Sequence, residues 1–289
     1  MLSKPKVSVL TALYKTNHQH LREAIESVLN QTFTDFEFLL LNDSPEDTEL
    51  DKIVSSYKDK RIKYFKNEKN LGITPSRNRL MELAKGEYLA VFDHDDICHP
   101  TRLEKEVAYL DAHPETAVVS SWIHSFPKNK TNHNPEQNAE IKVALMEHDV
   151  IAHSACMLRK AVLVKNKICY EEDFSPAEDY ALFMRLMNVA DFYNIQEPLL
   201  EYRIHENNTT KKQWEKMEKA AWRVRSLIRA EHPALYSEYM LRAKHTTKIQ
   251  LFGFIPLFKL ETTGYKTKVY LFNKILVFKI KKNSRLGEK

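Results

Sequence analysis

Gly86-Glu87-Tyr88-Leu89-Ala90-Val91-Phe92-Asp93-His94-Asp95-Asp96 decides the fold. An apolar run rich in aromatic and branched side chains leads directly into three carboxylates within four positions. Such a run reads as a buried strand. A strand that ends in clustered acids puts negative charge at the carboxyl edge of a sheet, which is where open α/β folds bind ligands. Adjacent carboxylates repel one another, so they stay ionised together only beside a cation or under hydrogen bonds. Magnesium or manganese bridging to a phosphate would meet that need. The alternative is an acidic loop that caps the helix expected after Pro100.

Working outward, Val7–Leu13 reads as a first buried strand, with Thr16 or Asn17 as the cap of a helix whose apolar face is Leu21, Ile25, Val28 and Leu29. Phe36–Leu41 reads as a second strand, Glu46–Tyr57 as helix and Ile62–Phe65 as a third strand. A turn at Asn70-Leu71-Gly72-Ile73 opens a helix over Thr74–Ala84. Pro100 suits the first turn of a helix with Leu103, Val107 and Leu110 on its buried face, and Thr116–Trp122 reads as a further strand. Strand and helix alternate over the first 120 or so residues, which implies a mainly parallel sheet covered on both faces. Residues 123–150 lose this rhythm, and the Asn/Lys-rich stretch Pro127–Gln137 reads as a mobile loop. Val150–Leu158 is apolar around His153. Ser175–Asp179 opens a helix with Leu182, Phe183, Leu186 and Met187 buried. Phe192–Ile195 and Leu199–Arg203 read as short strands, Ile204–Thr210 as a polar loop, and Gln213–Ala230 as helix.

Hydrophobic residues at 43% and charged residues at 29% of 289 describe a soluble globule with a sizeable core. No run of about 18 apolar residues is present, and the N-terminal stretch is too short for a signal peptide and has no cleavage site. Three cysteines without metal-ligand spacing suggest free thiols in a reducing compartment. The charge is uneven. From Met240 onward there are twelve Lys/Arg and two Glu, a net +10, which leaves residues 1–239 with 32 Lys/Arg against 37 Asp/Glu, or −5. A basic tail on an acidic body suggests a separate task for the tail. The five glycines (Gly72, Gly86, Gly253, Gly264 and Gly287) are too sparse for a dinucleotide fingerprint or a P-loop. A nucleotide bound here would need another means of holding its phosphates.

Three further features accompany the opening stretch. Asp43 ends the second strand, on the edge that carries Asp93 and Asp95 if the strands are parallel; it could accept from a base N–H or simply shape the turn before Pro45. Glu178-Asp179 sits at a helix N-terminus, where the dipole favours negative charge, either as capping residues or as reactive acids. His205 lies in a polar loop, as a surface residue or as a ligand.

In this order the pieces resemble the inverting family-two glycosyltransferases of the GT-A fold. The resemblance covers about residues 5–210. It rests on Val7–Tyr14, Ser27–Phe33, Asn42-Asp43-Ser44, Asn70–Ile73 with Arg77-Asn78, Gly86-Glu87-Tyr88 running into Asp93–Asp96, Glu178-Asp179, and Tyr202–His205. Ile151–Ser154, Met157–Lys160 and the spacing to Glu178 make the chain most similar to bacterial enzymes that extend lipooligosaccharide or capsular glycans. Asn42 stands where the family has Asp, and Ala12 where it usually has Pro. The resemblance implies a Rossmann-like, mainly parallel sheet flanked by helices over residues 1–210, with a nucleotide-binding half at 1–122 and an acceptor half at 123–210. A helical, basic and aromatic extension over 211–289 follows.

The resemblance also implies site roles. Ala12, Tyr14, Asp43, Gly72, Arg77, Asp93 and His94 would bind the nucleotide sugar. Asp95 and His205 would hold Mn2+ or Mg2+, and Asp179 would be the general base. Glu178 falls on the acceptor side; His153 faces the acceptor or is a satisfied core histidine. Asp96 supports the loop. The implied reaction moves a hexose or N-acetylhexosamine from a UDP-sugar to a hydroxyl of an oligosaccharide or lipid-linked glycan. A sugar-nucleotide-forming nucleotidyltransferase would also use acidic metal ligands, but it would need a Gly-rich phosphate loop. A catalytically silent assembly subunit would have no need of Asp93, Asp95, Asp179 and His205. Lys248–Phe258 is apolar and aromatic, and Lys268–Lys282 interleaves apolar and aromatic residues with lysines; this tail reads either as a hairpin or helix packed on the catalytic domain, or as a segment lying on anionic lipid at the inner face of the cytoplasmic membrane. The acidic body disfavours nucleic acid as a partner.

Overall fold

The structure is a computed structural model that describes residues 4–206, 208, 212–242, 244–251, 255–263, 266–271 and 275–281. In chain order the first part contains β1 (Val7–Leu13), α1 (His18–Leu29), β2 (Phe36–Asn42), α2 (Thr48–Ser56), β3 (Ile62–Lys66), α3 (Ile73–Leu83), β4 (Tyr88–Val91), β5 (Ile97–Cys98), α4 (Arg102–Ala112), β6 (Thr116–Phe126) and β7 (Lys130–Asn132). It continues through α5 (Asn138–Ala144), β8 (Met157–Arg159), α6 (Lys160–Asn166), α7 (Glu178–Leu186), β9 (Asp191–Arg203), α8 (Trp214–Glu231) and α9 (Pro233–Arg242).

One nine-stranded sheet runs in the order β3-β2-β1-β4-β8-β6-β9-β5, with β7 paired to β6. β3, β2, β1 and β4 are mutually parallel, and β6 is parallel to β9. β8 is the antiparallel strand between β4 and β6. Parallel pairing puts the carboxyl ends of β1, β2 and β4 on one edge, so Leu13, Asn42 and Val91 all lead into loops there. On one face Val7, Val9 and Leu13 alternate along β1, and Phe36, Phe38 and Leu40 along β2. They meet Leu21, Ile25 and Val28 of α1, Leu50 and Ile53 of α2, and Leu103, Val107 and Leu110 of α4 in a single core. α3 packs against β1 and β2.

The opposite edge of the sheet is closed by a tight approach of Gly86 to β1. Gly86 N donates to Ser8 Oγ at 2.8 Å, and Ser8 Oγ donates to Glu37 Oε1 at 2.7 Å. A Cβ on Gly86 would lie 2.5 Å from the Ser8 backbone nitrogen and 2.7 Å from the Val7 carbonyl carbon. Neither atom can move without breaking the β1–β4 ladder. Gly86→Ala is therefore expected to destabilise the protein by about 1–3 kcal/mol, the usual cost of overpacking, as read by urea unfolding; a change within experimental error would show that this edge gives way freely.

Two expectations are corrected. The stretch Pro127–Gln137 is not a mobile loop: Ile123, His124 and Ser125 pair with Asn132, Thr131 and Lys130 in a hairpin, and Trp122 Nε1 donates to the buried Asn134 carbonyl at 3.1 Å. The two short strands around Leu199 are one thirteen-residue strand. Its register against β6 shifts on either side of Trp122, whose partner is Pro198. Proline lacks the N–H that an unbroken ladder requires.

The chain divides into compact units at Met1–Ile228 and Arg229–Lys289. The division falls within α8, where Ala220, Val224 and Ile228, spaced one turn apart, are buried. The second unit contains α9 and an antiparallel four-stranded meander: β10 (Lys244–Leu251), β11 (Ile255–Thr263), β12 (Lys266–Leu271) and β13 (Ile275–Lys281). Val269 and Glu261 are buried within this sheet, while Leu276 is exposed. The apolar run read at Lys248–Phe258 includes Phe252–Phe254, which lies outside the described residues, as do Phe272 and Lys282 of the lysine-interleaved run. No helix among the described residues is long and apolar enough to cross a membrane.

Candidate active site

The acidic loop leaves β4 over a buried arginine. Arg102, fully buried at the start of α4, donates from Nη2 to the Val91 carbonyl at 2.8 Å and to the Cys156 carbonyl at 3.2 Å, and from Nη1 to the Ser154 carbonyl at 2.9 Å. Its Nε lies 3.0 Å from Glu106 Oε1. One guanidinium thus ties the end of β4 to the segment before β8. Above it, Thr11 Oγ1 donates to the Phe92 carbonyl at 2.8 Å, which locks the exit of β4 to β1.

The three acids then separate in role. Asp96 is fully buried and accepts from Arg203 N at 2.9 Å; burial, followed by the charges of Asp93 and Asp95, pushes its carboxyl well above the ordinary range. Asp95 Oδ2 lies 2.7 Å from His205 Nε2, and the Asp95 carbonyl accepts from Arg203 Nε at 2.7 Å. Asp93 is the open one, its side chain 40% exposed. His94 Nδ1 is buried and makes no hydrogen bond among the described residues.

A cavity beside Asp93 is lined by Leu10 and Ala12 of β1, Val91 and Phe92, Arg77 and Leu80 of α3, and Tyr170. It sits where β1 and β4 part, the crevice at which open α/β sheets take their ligands. Arg77 joins the two halves of the site. Its Nη1 donates to Glu178 Oε1 at 2.7 Å and its Nη2 lies 3.7 Å from Asp93 Oδ1. Burial opposes its charge, but Asp93 and Glu178 outweigh that and hold it protonated. Glu178 and Asp179 form the first turn of α7. Burial and then the neighbouring Glu178 push Asp179 up to about 6, against the pull of Arg77. Asp149, whose Oδ1 accepts from Ile151 N at 2.9 Å, is raised by burial and then by Asp179. Asp179, at about 6, is a base poised near neutral pH.

Asp43 lies on the same edge but is not open. It is 2% exposed. Its Oδ1 accepts from Asn67 Nδ2 at 2.6 Å and Leu71 N at 2.8 Å, and its Oδ2 from Asn70 Nδ2 at 3.0 Å and Gly72 N at 3.0 Å. Four donors fill the lone-pair sites of a carboxylate, so a base N–H reaches Asp43 only if one of them gives way. Gly72 makes this arrangement possible: at φ +91° it turns its N–H into the carboxylate and precedes α3. Asn42, in place of the family Asp, accepts from Ser44 N at 2.7 Å and donates to Tyr64 Oη at 2.9 Å. Tyr14 is exposed at the mouth of the edge with Lys15 Nζ 5.1 Å from its ring centre.

The structure therefore brings Ala12, Arg77, Asp93, Glu178 and Asp179 around one crevice, and Asp95 and His205 to one side of it. His153 takes the core reading. It is 8% exposed, its Nε2 is 2.8 Å from Tyr170 Oη, and burial lowers its pKa well below the ordinary value. It backs Tyr170, which lines the cavity. Tyr170, Arg203 and Asp149 are functional neighbours that sequence reading did not single out. Only Arg203 sat within a quoted motif, and nothing in local spacing marks the other two.

Asp93 and Asp95 offer carboxylate oxygens, which suit Mn2+ or Mg2+, and His205 adds an imidazole beside Asp95. Among the described residues no three His, Cys, Asp or Glu side chains close into a ready-made metal cage.

The sheet order, with an acid-lined crevice at its carboxyl edge, is that of the GT-A fold. The chain belongs to glycosyl transferase family 2, whose sequence profile matches residues 8–192, and it is thereby a transferase of glycosyl groups. An uncharacterised glycosyltransferase, MJ1057, of Methanocaldococcus jannaschii is 33% identical over 279 residues, covering 94% of this chain and 89% of its own. The O-antigen biosynthesis glycosyltransferase WbnJ of Escherichia coli is 29% identical over 233 residues, 77% of this chain and 89% of its own. Among solved structures, residues 1–349 of Staphylococcus aureus TarS in complex with UDP-GlcNAc align with a TM-score of 0.67 at 20% identity, covering 82% of this chain and 72% of that one.

Proposed function

We propose that the protein transfers a hexose or N-acetylhexosamine from a UDP-sugar to a hydroxyl of a growing surface glycan, with inversion at the anomeric carbon. The observation that carries this reading is Asp179, raised to about 6 at the rim of the crevice and linked through Glu178 and Arg77 to Asp93. The UDP-GlcNAc bound by TarS and the O-antigen role of WbnJ support the choice of donor and acceptor class.

Asp179 takes the proton of the acceptor hydroxyl as its oxygen attacks the anomeric carbon. The bond from that carbon to the diphosphate breaks on the opposite face, and the electron pair leaves with the diphosphate. A single displacement turns an α-linked donor into a β-linked product. Arg77 supplies fixed positive charge between the donor and acceptor sides. Asp95 and His205, with Asp93 beside them, would hold Mn2+ or Mg2+, and the ion would neutralise charge on the leaving diphosphate. The test is a panel of sugar nucleotides, GDP-linked sugars included, incubated with glycan acceptors and read for released nucleoside diphosphate. Release of pyrophosphate instead, or turnover of no donor, would overturn the reading. By calorimetry, Asp95→Ala is expected to abolish the strengthening of UDP binding by manganese; equal strengthening in wild type and variant would remove Asp95 from the cation site.

The tail extends the reading to a peripheral enzyme on the inner face of the cytoplasmic membrane. Its net charge of +10 beyond Met240 supports attraction to anionic lipid, at about 1 kcal/mol for each Lys or Arg near the surface. Full-length protein is expected to pellet with phosphatidylserine vesicles, and protein ending at Leu241 is not; equal pelleting would refute it.

A further inference from the structure

We propose that His20 is a third side chain of the diphosphate corner, donating a ring N–H to the nucleoside diphosphate beside Asp95 and His205. This rests on the donor reading above and adds a residue to it.

His20 is in the first turn of α1, immediately after the β1 edge that carries Ala12 and Tyr14. Asn17 Oδ1 accepts from Gln19 N at 3.0 Å and His20 N at 3.1 Å. The backbone of His20 is therefore fixed, and its amide is already used by the cap. What this turn offers the site is the imidazole. Its ring centre is 5.8 Å from that of His205, with the planes tilted by 42°, and His205 is the residue that meets Asp95. One turn along α1, Glu23 pairs with Arg203 Nη2, and Arg203 Nε holds the Asp95 carbonyl. Helix α1, the acidic loop and the end of β9 are thus cross-linked around two imidazoles.

Arg203 is matched by Glu23, and His205 by Asp95. His20 is only partly buried and adds a hydrogen-bond donor to the same corner. A ligand rich in acceptor oxygens, entering from the Asp93 cavity with its base on the β1 side, would extend its phosphates towards this corner. Packing alone would be served by any flat ring; the imidazole adds an N–H that can face an anion.

The experiment is calorimetry of UDP and UMP, with manganese, on wild type, His20→Phe and His20→Gln. Phe keeps a ring against His205 and removes the N–H; Gln keeps an N–H and removes the ring. His20→Phe is expected to weaken UDP binding about 10- to 100-fold, the range for a lost hydrogen bond to a charged group, while leaving UMP binding and the melting temperature unchanged. His20→Gln is expected to recover most of the UDP affinity. UDP binding by His20→Phe equal to wild type, or equal losses for UDP and UMP, would overturn the assignment and leave His20 as packing. Wild-type protein that bound no nucleoside diphosphate would instead overturn the donor reading on which it rests.

Discussion

Asp179→Asn is expected to lose about 10²–10⁴-fold in turnover, the range for removal of a general base, while still binding donor. Asn keeps the size and the turn geometry but has no basic oxygen to take the acceptor proton. Donor binding should survive because the residues proposed to hold the nucleotide sugar, Ala12, Arg77 and Asp93 among them, do not include Asp179. The elevated pKa gives a second readout. Only the ionised carboxylate acts as base, so wild-type turnover should rise with pH through about 6 and level off above it. That limb should be absent from the residual activity of the Asn variant. Stability should move the other way. A carboxyl group whose folded pKa is raised above its unfolded value favours the folded state at low pH, and that contribution is lost as pH rises through the folded value. At pH 8 the folded protein bears the full cost of an ionised Asp179 beside Glu178. The Asn variant should therefore melt no lower than wild type there, and a large activity loss could not be blamed on unfolding. Near-normal turnover in the variant, or an unchanged acidic limb, would remove Asp179 from the mechanism.

Arg102→Met is expected to destabilise the protein by about 3–5 kcal/mol, the usual cost of breaking a buried ion pair from one side. Five groups lose a donor at once: Glu106, the Cys98 sulfur and the carbonyls of Val91, Ser154 and Cys156. Burial already pushes Glu106 up to about 7 even with Arg102 beside it. Without the guanidinium the acid would take up a proton at neutral pH, so unfolding of the variant should become easier as pH rises. Replacing both partners, Arg102→Met with Glu106→Leu, should recover much of the stability, because an apolar pair of similar volume leaves no charge uncompensated. The three carbonyls would still lack the arginine donor, although that of Cys156 keeps Val91 N at 2.9 Å, so recovery should be partial. Urea unfolding of the three proteins reads this directly. A single variant within 1 kcal/mol of wild type would mean that water or neighbouring side chains replace Arg102 at little cost. Since Arg102 anchors the exit of β4, the single variant should also displace Asp93 and Asp95 and weaken donor binding.

Much of this architecture was legible in the chain. Alternating strands and amphipathic helices over residues 7–122 needed only periodicity, because a strand buried on both faces and a helix buried on one write themselves into the spacing of apolar residues. The acids at Asp93–Asp96 were visible as a cluster because a buried strand cannot continue through them. The second half was harder. Lysine and asparagine at 128–134 look like solvent-exposed loop, yet backbone pairing to Ile123–Ser125 orders them, and backbone hydrogen bonds leave no signature in side-chain polarity. The four-stranded meander of the second unit was hidden in the same way. Its lysines alternate with apolar residues in a pattern that reads equally as an amphipathic surface segment.

The residues at the reactive edge divide along the same line. By itself the sequence determined which chemistry was present: carboxylates after the β4 strand, a Glu-Asp pair at a helix start, a histidine after the last strand of the first unit, and no glycine loop for phosphates. Only the tertiary structure decided which of these groups are available. Asp43 is spent on Asn67, Asn70, Leu71 and Gly72; Asp96 is buried with one oxygen on Arg203 N; His153 is spent on Tyr170. Asp93 stays open, and Asp179 is held near neutrality by burial and Glu178. Hydrogen-bond saturation and desolvation depend on partners as far as 107 residues away in the chain. Residue type and spacing state what a side chain can do, and its partners in space state whether it is free to do it.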